Sequence, residues 1–510
     1  MNSPSKSFLN CPEMFLSVVE QFRLGHLTTE TPHPLTRDLS SLAKTNLKKG
    51  VEILKEVDRE MLNILSQKSS CLKDLWEAVE ETRERNGRIF LVGCGATGRL
   101  SLALETLWRQ ENPKSDQLVS FMAGGDIALI SSIEKFEDYP EYGARQLKDL
   151  KFGKNDLLIA CTEGGETPFV IGATEEAARI SKFPPFFLYC NPDQELTKIQ
   201  RSQDVLSNPQ IKKVNLTTGP MALAGSTRMQ ASTILMAFVG ISLWASDYSD
   251  IDKRLVDLRE LFDATDPTFL IPFIEKESDH YEKGGHILYQ CSQQLGITVL
   301  TDTTERSPTF SLWPFEPVQA AKQVASLCYL YFSDSPNAET AWEQLLGRAP
   351  RTLEWQELEG IANTKQLLKY DFGKDLIVRR SQLLEKEAAI FVVKEEESGV
   401  FFQIGESQFI HDYGQDLLSK HLMLKMHLNL LSTLIMGRMN RYEGNIMTWV
   451  RPSNLKLIDR TIRYAQILLE RKELQFDYEF LVRRLFEIKN SVSKDQSLVL
   501  ALVSACSKKD

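Results

Sequence analysis

The chain has 510 residues, 42% hydrophobic and 25% charged, the balance of a soluble globular protein of two or three domains. Sixty Lys and Arg against 69 Asp and Glu leave a net charge of −9, which argues against a protein that coats nucleic acid. No run of about 18 apolar residues stands free of charge, which argues against a membrane span.

The start lacks the layout of a signal peptide. Eight scattered cysteines form no CxxC pair and read as free thiols in a reducing cytoplasm. Seven histidines make no metal spacing, so no metal is expected.

Residues 1–40 read as an irregular N-terminal segment. From Ser41 to about Asn86 the pattern is helical, with Leu47, Val51, Leu54, Val57, Met61 and Leu65 at three- and four-residue steps. Strands are predicted at 88–93 (RIFLVG), 118–122 (LVSFM), 156–161 (DLLIAC) and 186–190 (FFLYC). Glycine turns and helices separate them, the first helix from about Arg99. Such alternation implies a parallel sheet with helices on both faces. The stretch from Ser249 to Ser278 is charged and helical. Further strands are predicted at 286–290, 296–300, 326–332, 388–393 and 400–404, with Glu395, Glu396 and Glu397 in a solvated turn. After Gln415 the pattern is helical almost to the end. The reading is α/β, two units in tandem with helices around them: an N-terminal segment 1–40, a first domain 41–270, a second 271–435 and a helical C-terminal cap 436–510.

Three loops carry chemistry. GCGATGR, with Gly95, Ala96, Thr97 and Gly98 at its centre, joins a strand to a helix, where glycines and a helix N-terminus suit an anion. It also fits the loose dinucleotide pattern GxGxxG at Gly93, Gly95 and Gly98, but the second strand ends in AGG and Asp126 comes late. A dinucleotide, another phosphate ligand and a plain tight turn stay open. CTEGGETP repeats the strand-turn-helix layout with Thr162, Gly164 and Thr167; Glu163 and Glu166 there repel phosphate unless they face solvent, a cation or a sugar hydroxyl. In TGPMALAGSTRMQAST, Ser226 reads as the N-cap of a long apolar helix, and Ser226, Thr227 and Arg228 together make an anion site. Acids cluster at Glu134, Glu137 and Asp138 and again at Asp302 and Glu305. Two carboxylates converging from separate segments can divide acid and base work.

GCGATGRL, MAGGD, IEKFED, CTEGGETPF, YCNP and TTGPMALAGSTRM occur in one order. As a set they resemble the SIS (sugar isomerase) phosphosugar-binding family, in its N-acetylmuramic acid 6-phosphate etherase branch. HPLTRDL (33–39), SQQLGITVLTDTTERSPTF, KMHLNLLST (425–433) and SNLKLIDR (453–460) extend the likeness to the glucokinase regulatory protein type, over about residues 30–470. The resemblance implies two tandem SIS domains, each a parallel five-stranded sheet in an αβα sandwich. A sugar phosphate, fructose 6-phosphate or a hexosamine phosphate, is then expected at their interface, with no cofactor. The implied role is to sense that ligand and regulate a partner in sugar metabolism, a sugar kinase being one candidate. The implied assembly is a monomer with an internal pseudo-dimer, or a weak oligomer.

Carried over motif by motif, the ligand contacts fall on Gly95, Ala96, Thr97, Gly98, Glu137, Thr162, Glu163, Gly164, Thr167, Ser226, Thr227, Arg228, Glu305 and Lys425, the last as the lysine that a C-terminal helix brings to the phosphate. The family's catalytic carboxylates fall on Glu137 and Glu305. In the first domain the second of these positions is Leu107, with Glu105 two residues off register. The alternative activity is therefore an etherase-type lyase on a lactyl amino sugar 6-phosphate. Cys291 to Leu295 replace the second domain's glycine loop, which leaves one competent site. Gln230 in place of a family lysine, with Glu163 and Glu166, makes the pocket less positive. A dinucleotide-binding oxidoreductase rests on GxGxxG alone.

Overall fold

Two five-stranded sheets, packed through a shared layer of helices, organise the chain. The computed structural model describes residues 8–507 except 132, 134, 135, 318–323, 453 and 494. The predicted acid Glu134 thus lies outside the described residues.

The first sheet is parallel throughout, in the order β2-β1-β3-β4-β5. Its strands are β1 Ile89–Gly93, β2 Leu118–Met122, β3 Leu157–Cys161, β4 Phe186–Tyr189 and β5 Lys212–Asn215. In β1, Ile89 faces Leu118 on one side and Leu157 on the other. All five residues of β1, β2 and β3 are buried, as expected of short apolar strands covered on both faces. The edge strand β5 was not expected: Lys212 and Lys213 are exposed there, so it lacks an apolar signature.

The second sheet runs β10-β9-β8-β6-β7 and is mixed. Strand β6 (Ile287–Cys291) pairs in parallel with β7 (Cys328–Tyr331) and β8 (Ala389–Glu396). Strands β9 (Gly399–Ile404) and β10 (Ser407–His411) return antiparallel. The expected second parallel sheet of five strands therefore holds for three of them. Tight turns next to Gly399 (φ +136°) and Gly405 (φ +56°) leave no room for a crossover helix. The strand expected at 296–300 is instead the start of the helix Gly296–Phe310; Ile297, Val299 and Leu300 are buried on all sides of it, which hides a helical period.

The helical region after Ser41 divides into Leu39–Thr45, Leu47–Ser66 and Ser69–Glu84. Asn46 caps the second, its side chain accepting from the Lys49 N–H. The stretch from Ser249 divides into Tyr248–Ala264 and Ile271–Glu282. The helix Leu417–Arg438 is buried along most of its length and packs on both Gln230–Trp244 of the first unit and Gly296–Phe310 of the second. A short hairpin, Tyr442–Glu443 with Ile446–Met447, then bridges to Ala224 and leads into the helices Leu455–Glu470, Tyr478–Ile488 and Leu498–Ser507. No helix among the described residues is long and apolar enough to cross a membrane.

Candidate functional site

The helix after β1 begins at Ala96, earlier than Arg99, because the turn is tighter than expected. A Cβ on Gly93 would stand 2.3 Å from the Thr97 carbonyl carbon, and Gly95 has φ +56°, ψ −121°. Thr97 closes the loop on itself: its hydroxyl accepts from the Cys94 N–H at 2.9 Å and donates to the Cys94 carbonyl at 2.9 Å. It is buried and shapes the turn, while Cys94, Gly95 and Ala96 form one wall of a cavity of about 520 Å³. The Thr97 N–H donates to the Cys94 carbonyl at 3.2 Å, while the Ala96 and Gly98 N–H groups of the first turn lack intrahelical acceptors, which favours an anion at this wall.

Two carboxyl groups reach that cavity from different units. Glu137 sits in the short turn Phe136–Asp138 and accepts from the Cys94 thiol at 3.4 Å. Phe136 anchors the turn, buried and stacked on Trp355 of the second unit with centroids 5.8 Å apart. Asp138 is exposed. Glu305 comes from the helix Gly296–Phe310, is buried, and keeps Oε2 without a hydrogen-bond partner. Burial raises its pKa against the pull of Arg99, Lys425 and Arg228.

The third wall is the loop before the helix Gln230–Trp244. That helix starts later than expected, with Met229 at the cap position, so Ser226 is no N-cap. Instead the Ser226 hydroxyl is buried without a partner on the cavity wall, with Thr227 beside it. Arg228 also borders the cavity, but its guanidinium is engaged: Nη1 donates to Asp302 and Ser432 at 3.1 Å each, and Nη2 to Thr433 at 2.7 Å. The C-terminal helix Leu455–Glu470 covers the opening with Leu457 and Arg460. It lies so close that a Cβ on Gly225 would stand 2.2 Å from the Tyr464 hydroxyl.

Residues 72–177 match the family model described as the glucokinase regulatory protein N-terminal SIS domain. Over that range the first unit is similar to a SIS domain. The chain is 27% identical over 298 residues to the N-acetylmuramic acid 6-phosphate etherase of Rhodopirellula baltica, covering 56% of this chain and 91% of that protein. It is 33% identical over 214 residues to the enzyme of that name from Thermosynechococcus vestitus, covering 41% of this chain and 64% of that protein. Among solved structures, tagatose-6-phosphate ketose/aldose isomerase from Escherichia coli aligns at 12% identity with a TM-score of 0.42, over 78% of this chain and 95% of that one.

The second loop of the first unit stands behind the glycine loop. The Thr162 and Thr167 hydroxyls lie 3.1 Å apart, Thr162 accepts from the Gly165 N–H, and the Gly164 carbonyl accepts from Asn191. Glu166 meets cations: Arg201 and, at 2.9 Å, Lys456. Although burial works against the charge, these two hold its pKa down to about 2. Glu163 has no such partner. Its Oε1 is buried and unbonded, and burial pushes its pKa up to about 8. Lys425 is turned inward, donating to the Arg228 carbonyl, the Thr233 hydroxyl and Asn429. The lysine that the C-terminal helix does bring to these loops is Lys456. Gln230 holds the preceding loop, accepting from the Ala222 N–H and donating to the Pro220 carbonyl. Leu107 is core, while Glu105 is buried among Arg109, Arg348 and Arg351.

Among the sequence-derived candidates, Gly95, Ala96, Glu137, Ser226, Thr227, Arg228 and Glu305 thus share one cavity. Sequence reasoning missed Cys94, Arg99 and Arg460 on its walls, although all three lie inside strings already singled out. Among the described residues no cluster of metal-ligating side chains occurs.

Proposed function

We propose that the cavity binds a sugar phosphate and that Glu137 and Glu305 act on it as the acid–base pair of an etherase-type lyase on a lactyl amino sugar 6-phosphate. The observation that carries this reading is that a carboxyl group from each unit lines the same 520 Å³ cavity as the glycine loop. The likeness to two etherases supports it. The helix N-terminus at Ala96, with Ser226 and Thr227, takes the phosphate. Glu137, facing the Cys94 thiol, is the base that removes the proton at C2 of the open-chain sugar. The electron pair forms the C2–C3 double bond, the C3–O bond breaks, and Glu305 delivers its proton to the leaving lactyl oxygen. A buried carboxyl with a raised pKa suits the acid.

A sensor that binds without turnover is the second reading. The match to a regulatory protein's SIS model supports it, as does the C-terminal helix, since a ligand in the cavity would press on Arg460. The eight cysteines are all unpaired, which fits a cytoplasmic setting. Thermal stability is measured against N-acetylmuramic acid 6-phosphate and fructose phosphates, with lactate assayed in the same wells. Stabilisation with lactate release, lost in Glu137→Gln or Glu305→Gln, supports the lyase. Stabilisation without lactate supports the sensor. No stabilisation by any sugar phosphate overturns both.

A further inference from the structure

We infer that Arg451 binds the lactyl carboxylate of the sugar phosphate and so gives this site its selectivity for the lactyl ether. The inference deepens the proposed function and rests on it.

A lactyl amino sugar 6-phosphate is anionic at two points, its phosphate and its lactyl carboxylate. The helix N-terminus at Ala96, with Ser226 and Thr227, answers the first. The second calls for a cation of its own. Among the described residues four arginines border the cavity, Arg99, Arg228, Arg451 and Arg460. Two are already neutralised: Arg228 pairs with Asp302, and Arg460 with Glu30. Arg99 meets neutral acceptors, the Ala128 and Leu129 carbonyls and the Thr304 hydroxyl, but it is 2% exposed and has little surface to offer.

Arg451 is partly exposed and also meets neutral acceptors: its Nη2 donates to the Ser493 and Gln496 carbonyls at 2.7 and 2.6 Å. These two bonds orient the guanidinium, and Nε and Nη1 have no hydrogen-bond partner among the described residues. Burial works against its charge. The exposed Asp495 offsets that only in part and makes no ion pair with it. A half-buried cation in this state gains from a ligand anion.

Its place also suits the chemistry. The oxygen that takes the proton from Glu305 carries the lactyl carbon, and the carboxylate is the next group along. The cation that holds it must therefore stand on the Glu305 side of the cavity. The helix of Glu305 ends at Phe310, and Ser311, on the cavity wall, donates to the Trp449 carbonyl, two residues before Arg451.

Isothermal titration of the full-length protein tests the inference, in Glu137→Gln so that turnover does not consume the ligand. The probes are N-acetylmuramic acid 6-phosphate, its lactyl carboxamide analogue and N-acetylglucosamine 6-phosphate, which lacks the lactyl group. The lactyl acid is expected to bind at least tenfold more tightly than either of the others. Adding Arg451→Met is expected to bring the three within twofold and to leave the affinity for N-acetylglucosamine 6-phosphate unchanged. Arg451→Gln, which keeps a donor for the two carbonyls, serves if Arg451→Met does not fold. A preference that survives the Arg451 substitution, or loss of N-acetylglucosamine 6-phosphate binding in a variant that circular dichroism shows folded, overturns the inference. Binding of N-acetylglucosamine 6-phosphate with no preference for the lactyl acid overturns it too and leaves the sugar-phosphate site standing. No binding of any of the three, nor of N-acetylglucosamine 6-phosphate by the wild type, overturns both.

Discussion

Arg228 and Asp302 form a buried ion pair, 3.1 Å apart and each 2% exposed, between the GSTR loop of the first unit and the helix that carries Glu305 in the second. Asp302 also meets Arg306 at 3.0 Å, which in turn meets Glu277 at 2.6 Å. The pair thus connects the wall that offers Ser226 to the wall that offers Glu305.

That connection is expected to couple the two walls energetically. In a double-mutant cycle of Arg228→Met and Asp302→Asn, followed by urea denaturation, the coupling is expected near the upper end of about 0.5–3 kcal/mol. The single Arg228→Met variant is expected to lose about 3 kcal/mol, since Arg306, Ser432 and Asn429 still support Asp302. Additive single effects would show that the pair does not hold the units together.

The two cavity carboxyl groups are expected to differ in role although both are glutamates. Replacing either with Gln is expected to lower lactate release by about 10²–10⁴-fold while sugar-phosphate affinity changes little. The pH profile separates them. Glu305, whose pKa burial raises, is expected to set the alkaline limb, so Glu305→Gln abolishes that limb in any residual activity. An alkaline limb that persists unchanged would remove Glu305 from the acid role.

Much of the first unit was legible because its strands are short apolar runs between glycine turns, a pattern that only two-sided burial produces. The second unit was less so. Residues 296–300 are equally apolar, but there the run is the buried start of a helix, and period alone does not separate the two. Strand β5 escaped because an edge strand with two exposed lysines has no apolar face to read. At the site, the glycine loop, Glu137, Ser226 and Glu305 were legible as strings. What was not legible is which cations stay free. Lys425 and Lys456 lie in successive long helices, and only packing shows the first turned inward and the second set on Glu166.

Glu105 is off the family's acid register and is expected to be structural. Burial works against its charge, yet Arg348 and Arg351 hold its pKa down to about 2 from the ordinary 4.5. Because the folded value is the lower one, its stabilisation is present above pH 4.5 and is lost as pH falls toward 2. Glu105→Gln leaves Arg351 without its carboxylate and is expected to cost about 3–5 kcal/mol at pH 7. The variant should also show a shallower acid unfolding curve than the wild type, by circular dichroism. Unchanged stability would mean that Asp126 and Asp116 suffice for the three arginines.

Glu163 gives the opposite pH signature. Its folded pKa is raised, from 4.5 to about 8, so its stabilising share is full below pH 4.5 and is lost as pH rises through about 8. The unliganded protein is therefore expected to lose stability between pH 5 and 8, at a slope approaching about 1.4 kcal/mol per pH unit from this group alone. Glu305, also raised, adds to the same trend. Glu163→Gln removes the titration and keeps the shape, so it is expected to flatten the curve and to be more stable than the wild type at pH 8. Thermal melts at half-unit steps from pH 5 to 8.5 read this directly. A wild-type curve that is flat over that range, or a variant that is no more stable at pH 8, would mean that Glu163 already has a partner for its charge.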